Sequence, residues 1–282
     1  MSGPWVLVNG RFADRVPATD RGLQYGDGLF ETIAVRDGRP CLWHRHLQRL
    51  GAGCERLRIP PPEPSALAAE ARALLDAADD RNGVLKLIVT RGSGARGYAP
   101  PAAPQPTRVL FFHPGLPGQT RGAGAGVRLT LCETRLGDNA RLAGIKHLNR
   151  LEQVLARAEW SDPTILDGIM CDGAGRAICG TMSNLYALDD KGISTPPLDR
   201  CGVVGTVRGV MQECARALGI PFRERHLRPA DLFAADGLVI SNALLGALPV
   251  ARLAAHAYAS GAVPAALIDR VRQLALEPET DP

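Results

Sequence analysis

Four tight-turn signals, each beside an apolar run, constrain this chain more than any other feature. Asn9-Gly10 follows Trp5-Val6-Leu7-Val8, and Asp37-Gly38 follows an alternating stretch ending at Val35. Asp172-Gly173-Ala174-Gly175 separates Ile169–Cys171 from Ala177–Cys179, and Asp189-Asp190-Lys191-Gly192 follows Leu185–Leu188. Asn-Gly and Asp-Gly tolerate the left-handed backbone that two-residue hairpins demand, so these stretches read as antiparallel β elements in both halves of the chain. Further strands are expected at Val84–Thr90, Thr107–His113, from Val127, and at Leu238–Ala243. Helical spacing appears at Trp43–Leu57, where Leu47, Leu50, Cys54 and Leu57 share a face and Arg45 and Arg49 lie four apart on another. An alanine-rich helix follows from an N-cap at Ser65 to about Ala78. Another opens after Gly205 with Thr206 near its N-terminus, an end suited to an anion, and closes near Gly219. The fold class is therefore α+β.

Pro114-Gly115-Leu116-Pro117-Gly118 and the glycines up to Gly126 form the clearest break. The chain divides there into an N-terminal α+β domain (1–116), a linker (117–125) and a β-rich C-terminal domain (126–282). A hydrophobic content of 45% over 282 residues is enough for two cores. No apolar run is long enough to span a bilayer and no signal peptide leads the chain, which implies the cytoplasm and no membrane partner. Seven cysteines without a Cys-x-x-Cys pair suggest neither a disulfide framework nor a metal site. A net charge of +4 without a basic, aromatic-interleaved block gives no support to nucleic-acid binding. Gly92-Ser93-Gly94-Ala95-Arg96-Gly97 matches the dinucleotide fingerprint in spacing, yet Ala99-Pro100-Pro101 blocks the helix that must follow and no carboxylate lies at the required distance. It reads instead as a mobile, arginine-bearing loop.

Lys146 is one of three lysines in an arginine-rich chain. Leu148, Leu151, Leu155 and Ala158 recur at helical spacing behind it, which predicts an amphipathic helix packed on a core with Lys146 in its first turn. An ammonium at the positive end of a helix dipole, next to apolar Ile145, is disfavoured, and an amine so activated can form a Schiff base. A solvated surface lysine is the competing reading.

Six stretches then stand in order: Asp20-Arg21-Gly22; Tyr25-Gly26-Asp27-Gly28-Leu29-Phe30-Glu31-Thr32; His46-Leu47-Gln48-Arg49-Leu50; Lys146-His147-Leu148-Asn149; Gly180-Thr181-Met182-Ser183-Asn184-Leu185; and Gly205-Thr206-Val207-Arg208. Together they resemble the fold-type IV pyridoxal-phosphate enzymes, the D-amino acid aminotransferase-like group, over nearly the whole chain. Arg91 to Tyr98, Gly144 to Leu155 and Ser241-Asn242-Ala243-Leu244 resemble the aminodeoxychorismate lyases within that group. The resemblance implies a homodimer of two-domain subunits, a smaller α/β sandwich and a larger barrel-like domain, with pyridoxal 5'-phosphate between them and a small-molecule substrate. The reaction implied turns 4-amino-4-deoxychorismate into 4-aminobenzoate and pyruvate. A branched-chain or D-amino acid transaminase and an inactive cofactor-binding relative are the alternatives.

Carried over residue by residue, Lys146 matches the Schiff-base lysine, and Arg49 matches the arginine that clamps the cofactor phosphate, a planar fork suited to it. Thr206 and Val207 match a backbone phosphate cup, and Ser241, Asn242 and Ala243 a second backbone contact, for which an ordinary strand-end turn is the alternative. Arg91 and Arg96 fall in the loop that matches the substrate loop, with surface ion pairs as the alternative. Tyr25, Glu31, Thr32 and His113 lie in matched motifs too and are implied substrate contacts, with half-buried core roles the alternative. One departure stands out. Where the family usually has a glutamate on the cofactor's pyridine nitrogen, this chain has Cys179, which weakens the electron sink. A product that becomes aromatic needs that sink less, so Cys179 favours the lyase over the transaminase; it also fits an inactive relative.

Overall fold

The structure, a computed structural model, describes residues 5–117 and 126–279. Its elements belong to two compact units. The first consists of 5–117, Ile145–Asn149 and 276–279; the second consists of 126–144 and Arg150–Ala275. Pro117 apart, the linker expected at 117–125 lies outside the described residues.

In the first unit the elements run β1 (Trp5–Val8), β2 (Arg11–Phe12), α1 (Arg21–Tyr25), β3 (Gly28–Arg36), β4 (Arg39–Pro40), α2 (Trp43–Leu57), α3 (Pro64–Ala77), β5 (Gly83–Thr90) and β6 (Thr107–Pro114). The strands form one antiparallel sheet in the order β2-β1-β6-β5-β3-β4. Both expected hairpins are there: Asn9 and Gly10 have φ of 49° and 77°, Asp37 and Gly38 of 52° and 73°, the left-handed pairs such turns require. Because side chains alternate across a strand, Leu29, Glu31, Ile33 and Val35 fall on one face of β3, with Leu85, Leu87 and Val89 of β5 beside them, and all are buried. Helix α2 covers this face, and Gly53 is needed there, since a Cβ would lie 2.8 Å from a Leu29 methyl. Phe30 and Thr32 take the opposite, half-exposed face.

The second unit holds β7 (Val127–Leu136), α4 (Leu151–Arg157), β8 (Ile165–Asp172), β9 (Ala177–Gly180), β10 (Asn184–Asp189), β11 (Gly192–Thr195), α5 (Thr206–Ala217), β12 (Phe222–Glu224), α6 (Pro229–Ala234), β13 (Gly237–Asn242), β14 (Gly246–Leu253), β15 (His256–Ala257) and α7 (Ala265–Ala275). Strands β10, β13, β14, β7, β8 and β9 pair in turn, and β9 pairs back to β10 through Cys179 and Asn184, which closes the sheet into a barrel. Closure removes the free edges of these strands. One face of the wall is filled by Leu129, Ile169, Leu185, Ala187, Leu238, Ile240 and Leu248. The other collects Met170, Ile178, Trp160, Leu198 and three thiols, Cys132, Cys179 and Cys201.

One local expectation is corrected. Ser65 does not cap α3: Glu63 occupies the N-cap position and Pro64 opens the helix, as its fixed φ and missing N–H favour. The short helix α1 is capped by the Asp20 carboxylate accepting from Gly22 N at 2.8 Å. Gly168→Ala should destabilise the protein by about 1–3 kcal/mol through overpacking, since the added carbon would lie 2.5 Å from Cys132 Sγ and 2.7 Å from the Trp160 ring; urea unfolding measures it.

Candidate functional site

Lys146 does not sit in a helix. Its segment runs extended along the free edge at the start of β3, where Phe30 N donates to Lys146 O at 3.0 Å, Leu148 N donates to Gly28 O at 3.0 Å, and Leu29 bridges His147. The first turn of α4 comes only at Leu151, and its apolar residues Leu151, Val154 and Leu155 are exposed; Ala156 alone is buried. Lys146 therefore lies outside the first turn of α4 and away from its dipole end. The ammonium instead lies 4.0 Å from the centroid of the Phe30 ring, on the half-exposed face of the sheet, so strand pairing, rather than helix position, aims it.

Behind β3, on the buried face, lies a charged triad. Glu31 is 1% exposed and accepts from His46 Nδ1 at 2.6 Å and from Arg49 Nε at 2.9 Å, with Arg49 also reaching its second oxygen through an outer guanidinium nitrogen. Burial pushes the Glu31 carboxyl up, but the Arg49 guanidinium and the His46 hydrogen bond outweigh it and hold the group at about 2. Burial holds His46 below its ordinary value despite Glu31, with the nearby charges of Arg49 and Lys146 acting in the same direction. Sequence reasoning places Arg49 at a phosphate; in this unit one edge of its fork grips Glu31.

The loop after β5 is tied down at its root. Arg91 is buried with both edges of its guanidinium engaged, on the Asp27 carboxylate and on the Leu57 and Arg58 carbonyls. It is an anchor, and the expectation that Arg91 meets substrate is not what its contacts describe. Arg21 organises the rest, donating to the Gly97, Tyr98 and Ala99 carbonyls and pairing with Asp27 at 2.8 Å. Tyr25 lies under the Arg21 guanidinium and accepts from Gly97 N. The loop expected to be mobile is thus pinned by a buried arginine, and Arg96 stands exposed on it. Thr32 lies half-buried on the Phe30 face, while His113 is exposed on β6 and stacked on Phe111.

The second unit contributes a helix end and a thiol. Gly205 precedes α5 without a side-chain cap, and Thr206 Oγ1 is buried with no hydrogen-bond partner. Asn184 shapes this turn: its amide donates to Val203 O at 2.9 Å and accepts from Gly205 N at 3.0 Å. The Cys179 thiol, fully enclosed, is pushed well up by burial and by the Asp167 carboxylate, so it stays protonated. Asp167, buried inside the barrel wall, accepts from Gly168 N, Thr181 N, Thr181 Oγ1 and Ser183 Oγ, fixing the turn that follows Cys179. Ser241 shares a 2.8 Å hydrogen bond with buried Tyr186. Asn242 Oδ1 accepts from Leu244 N and Leu245 N, so its side chain builds the strand-end turn that contains Ala243. Asp167, Asn184, Arg21 and Glu31 are the positioning residues that sequence patterns did not single out for these roles.

A closed barrel with a helix N-terminus bonded to its closing strand, in a chain whose other sheet presents a lysine, is the fold-type IV aminotransferase-like architecture. The family model for amino-transferase class IV matches residues 28–253, and the chain belongs to that family. It is 36% identical to an aminodeoxychorismate lyase of Vibrio harveyi over 88% of this chain and 91% of that one. The crystal structure of 4-amino-4-deoxychorismate lyase from Pseudomonas aeruginosa matches with a TM-score of 0.86 and 47% identity, over 91% of this chain and 94% of that one. A hypothetical aminotransferase from Mycobacterium tuberculosis, in its PLP-bound form, matches with a TM-score of 0.79 and 26% identity, over 96% and 98%. The residues present suit such a cofactor: an unpartnered buried hydroxyl at an uncapped helix N-terminus is what a phosphate satisfies.

Glu31 and His46 both bind fewer protons folded than unfolded, so stability should fall as pH falls. The His46 part is complete above about 6.5. The Glu31 part is present above its ordinary 4.5 and is lost between there and about 2. Urea unfolding at stepped pH should show this acid arm, and Glu31→Gln should flatten its lower end.

Proposed function

We propose that this chain is a pyridoxal-phosphate-dependent lyase that converts 4-amino-4-deoxychorismate to 4-aminobenzoate and pyruvate. The likeness to the P. aeruginosa lyase over nearly the full length of both chains carries the reading. Lys146 would supply the amine that holds the cofactor, and its free amine takes the proton from the ring carbon bearing the substrate amine. The carbon–oxygen bond to the enolpyruvyl group then breaks, and the ammonium of Lys146 returns the proton to the departing enol, which becomes pyruvate. Pyridoxal phosphate, when bound, withdraws electrons from that ring carbon.

Arg49, the backbone N–H groups of Thr206 and Val207, and the Thr206 hydroxyl hold its phosphate, with Ser241, Asn242 and Ala243 giving a second backbone contact. Glu31 orients Arg49 by gripping the Nε edge of its guanidinium. Cys179 offers the pyridine nitrogen a neutral thiol and no anion. Such a sink suits a reaction whose product gains aromaticity better than one that depends on a long-lived carbanion. Arg96 is assigned to a substrate carboxylate, with Tyr25, Thr32 and His113 around the substrate.

Lys146→Ala should abolish both the visible absorbance of bound cofactor and the release of 4-aminobenzoate, while thermal unfolding stays near wild type. Product analysis with aminodeoxychorismate against an amino acid plus a 2-oxoacid separates lyase from transaminase, and formation of glutamate or another new amino acid in place of pyruvate would overturn the reading.

We further propose a cytoplasmic homodimer. Seven free, buried thiols suit a reducing compartment. Leu151, Val154 and Leu155, at i, i+3 and i+4 of α4, are 76%, 61% and 61% exposed, an apolar stripe that a second copy of the chain would cover. No described helix is long and apolar enough to cross a membrane. Leu155→Glu should shift the sedimentation coefficient toward that of a monomer.

A further inference from the structure

Lys86 lies at the centre of β5, and its register places it directly between Thr32 of β3 and Phe111 of β6. Alternation puts it on the same half-exposed face as Phe30, away from the apolar side covered by α2. Its ammonium lies 5.7 Å from the centroid of the Phe30 ring, the same ring over which Lys146 Nζ stands at 4.0 Å. Two of the chain's three lysines thus flank one aromatic ring on one face of one sheet. The surroundings of Lys86 differ from those of four arginines in this unit. Arg21, Arg49, Arg91 and Arg108 each grip a carboxylate, whereas Lys86 makes no hydrogen bond or ion pair among the described residues. Phe30, Ile88 and Phe111 border it in the strand register, an apolar floor around the Lys86 ammonium. A cation–π contact of this length contributes little beside an ion pair.

We propose that Lys86 binds the ring carboxylate of the substrate and sets specificity for an amine carried on a six-membered ring with an acid group opposite to it. The inference rests on the proposed function for the identity of the substrate. In that reading the substrate amine takes over the place of Lys146 Nζ. A carboxylate across the ring from that amine then points away from Lys146 over the Phe30 face, where Lys86 is the cation at hand. The carboxylate of the enolpyruvyl arm, on the neighbouring ring carbon, is left to Arg96. Lys86 thereby orients the ring and presents the amine-bearing carbon to Lys146, while the apolar floor excludes water from beneath it.

The test uses the cofactor-loaded protein and two probes that share a ring and an amine, 4-aminobenzoate and aniline, with binding followed by calorimetry. The wild type should bind 4-aminobenzoate about tenfold or more tightly than aniline, as expected for a charge-assisted pair. Lys86→Gln should remove that preference, leave aniline binding and the visible cofactor absorbance unchanged, and raise KM for aminodeoxychorismate with kcat little altered. Lys86→Arg should recover most of the preference, because the charge is kept. Equal 4-aminobenzoate affinity in wild type and Lys86→Gln, or no preference over aniline in the wild type, would overturn the assignment. Absence of 4-aminobenzoate formation by the wild type would instead overturn the proposed function, and the binding comparison would still decide whether Lys86 holds an aromatic carboxylate.

Discussion

The second unit depends on one residue, Asn184. Its backbone pairs with Cys179 on one side and Ser241 on the other, so the barrel closes at this position. Its side-chain amide, buried, bonds Val203 O and Gly205 N, which fixes the turn leading into α5. There is no room for error: a Cβ on Gly205 would lie 2.1 Å from Asn184 Oδ1. Closing the sheet and aiming the helix N-terminus are therefore a single event, and the uncapped end with its unpartnered Thr206 hydroxyl follows from it. A buried amide with both its functions engaged is rigid, which is what an anion site built from backbone groups requires.

The first unit solves a different problem by placing its charges on opposite faces of one sheet. On the covered face, Glu31 is kept ionised by Arg49 and His46 in a setting that would otherwise favour the neutral acid. On the half-exposed face, Lys146 and Lys86 stand over the Phe30 ring. Period-two alternation along β3 separates the two environments by one residue, Phe30 from Glu31.

Turn chemistry is local, so the hairpins at Asn9-Gly10, Asp37-Gly38 and around 173–175 were legible in the sequence, as was α2 with its ends at Trp43 and Leu57. What failed was any inference that required knowing what covers a face. The spacing of Leu148, Leu151 and Leu155 is the spacing of a packed helix, yet α4 turns its leucines outward, because a periodic apolar stripe says nothing about its partner. Lys146 was misplaced for the same reason: an extended stretch beside β3 is set by pairing with Gly28 and Phe30, more than a hundred residues away. Arg91, expected at the substrate, is an anchor like Arg21, since only the folded chain shows which arginines are enclosed. The setting of Lys86 is likewise fixed by its cross-strand neighbours, Thr32 and Phe111, which a strand's own sequence does not contain.

The path of the chain through Ile145–Asn149 limits how this protein can be divided. Five residues belong to the first unit while the chain on both sides of them belongs to the second. A fragment ending at the break near residue 117 would lack them, and Gly28 O and Phe30 N would lose their partners, opening a bare strand edge of the kind along which proteins aggregate. A cut at the apparent domain boundary therefore does not separate the two units: the stretch that carries Lys146 and pairs with the start of β3 would be left on the other piece.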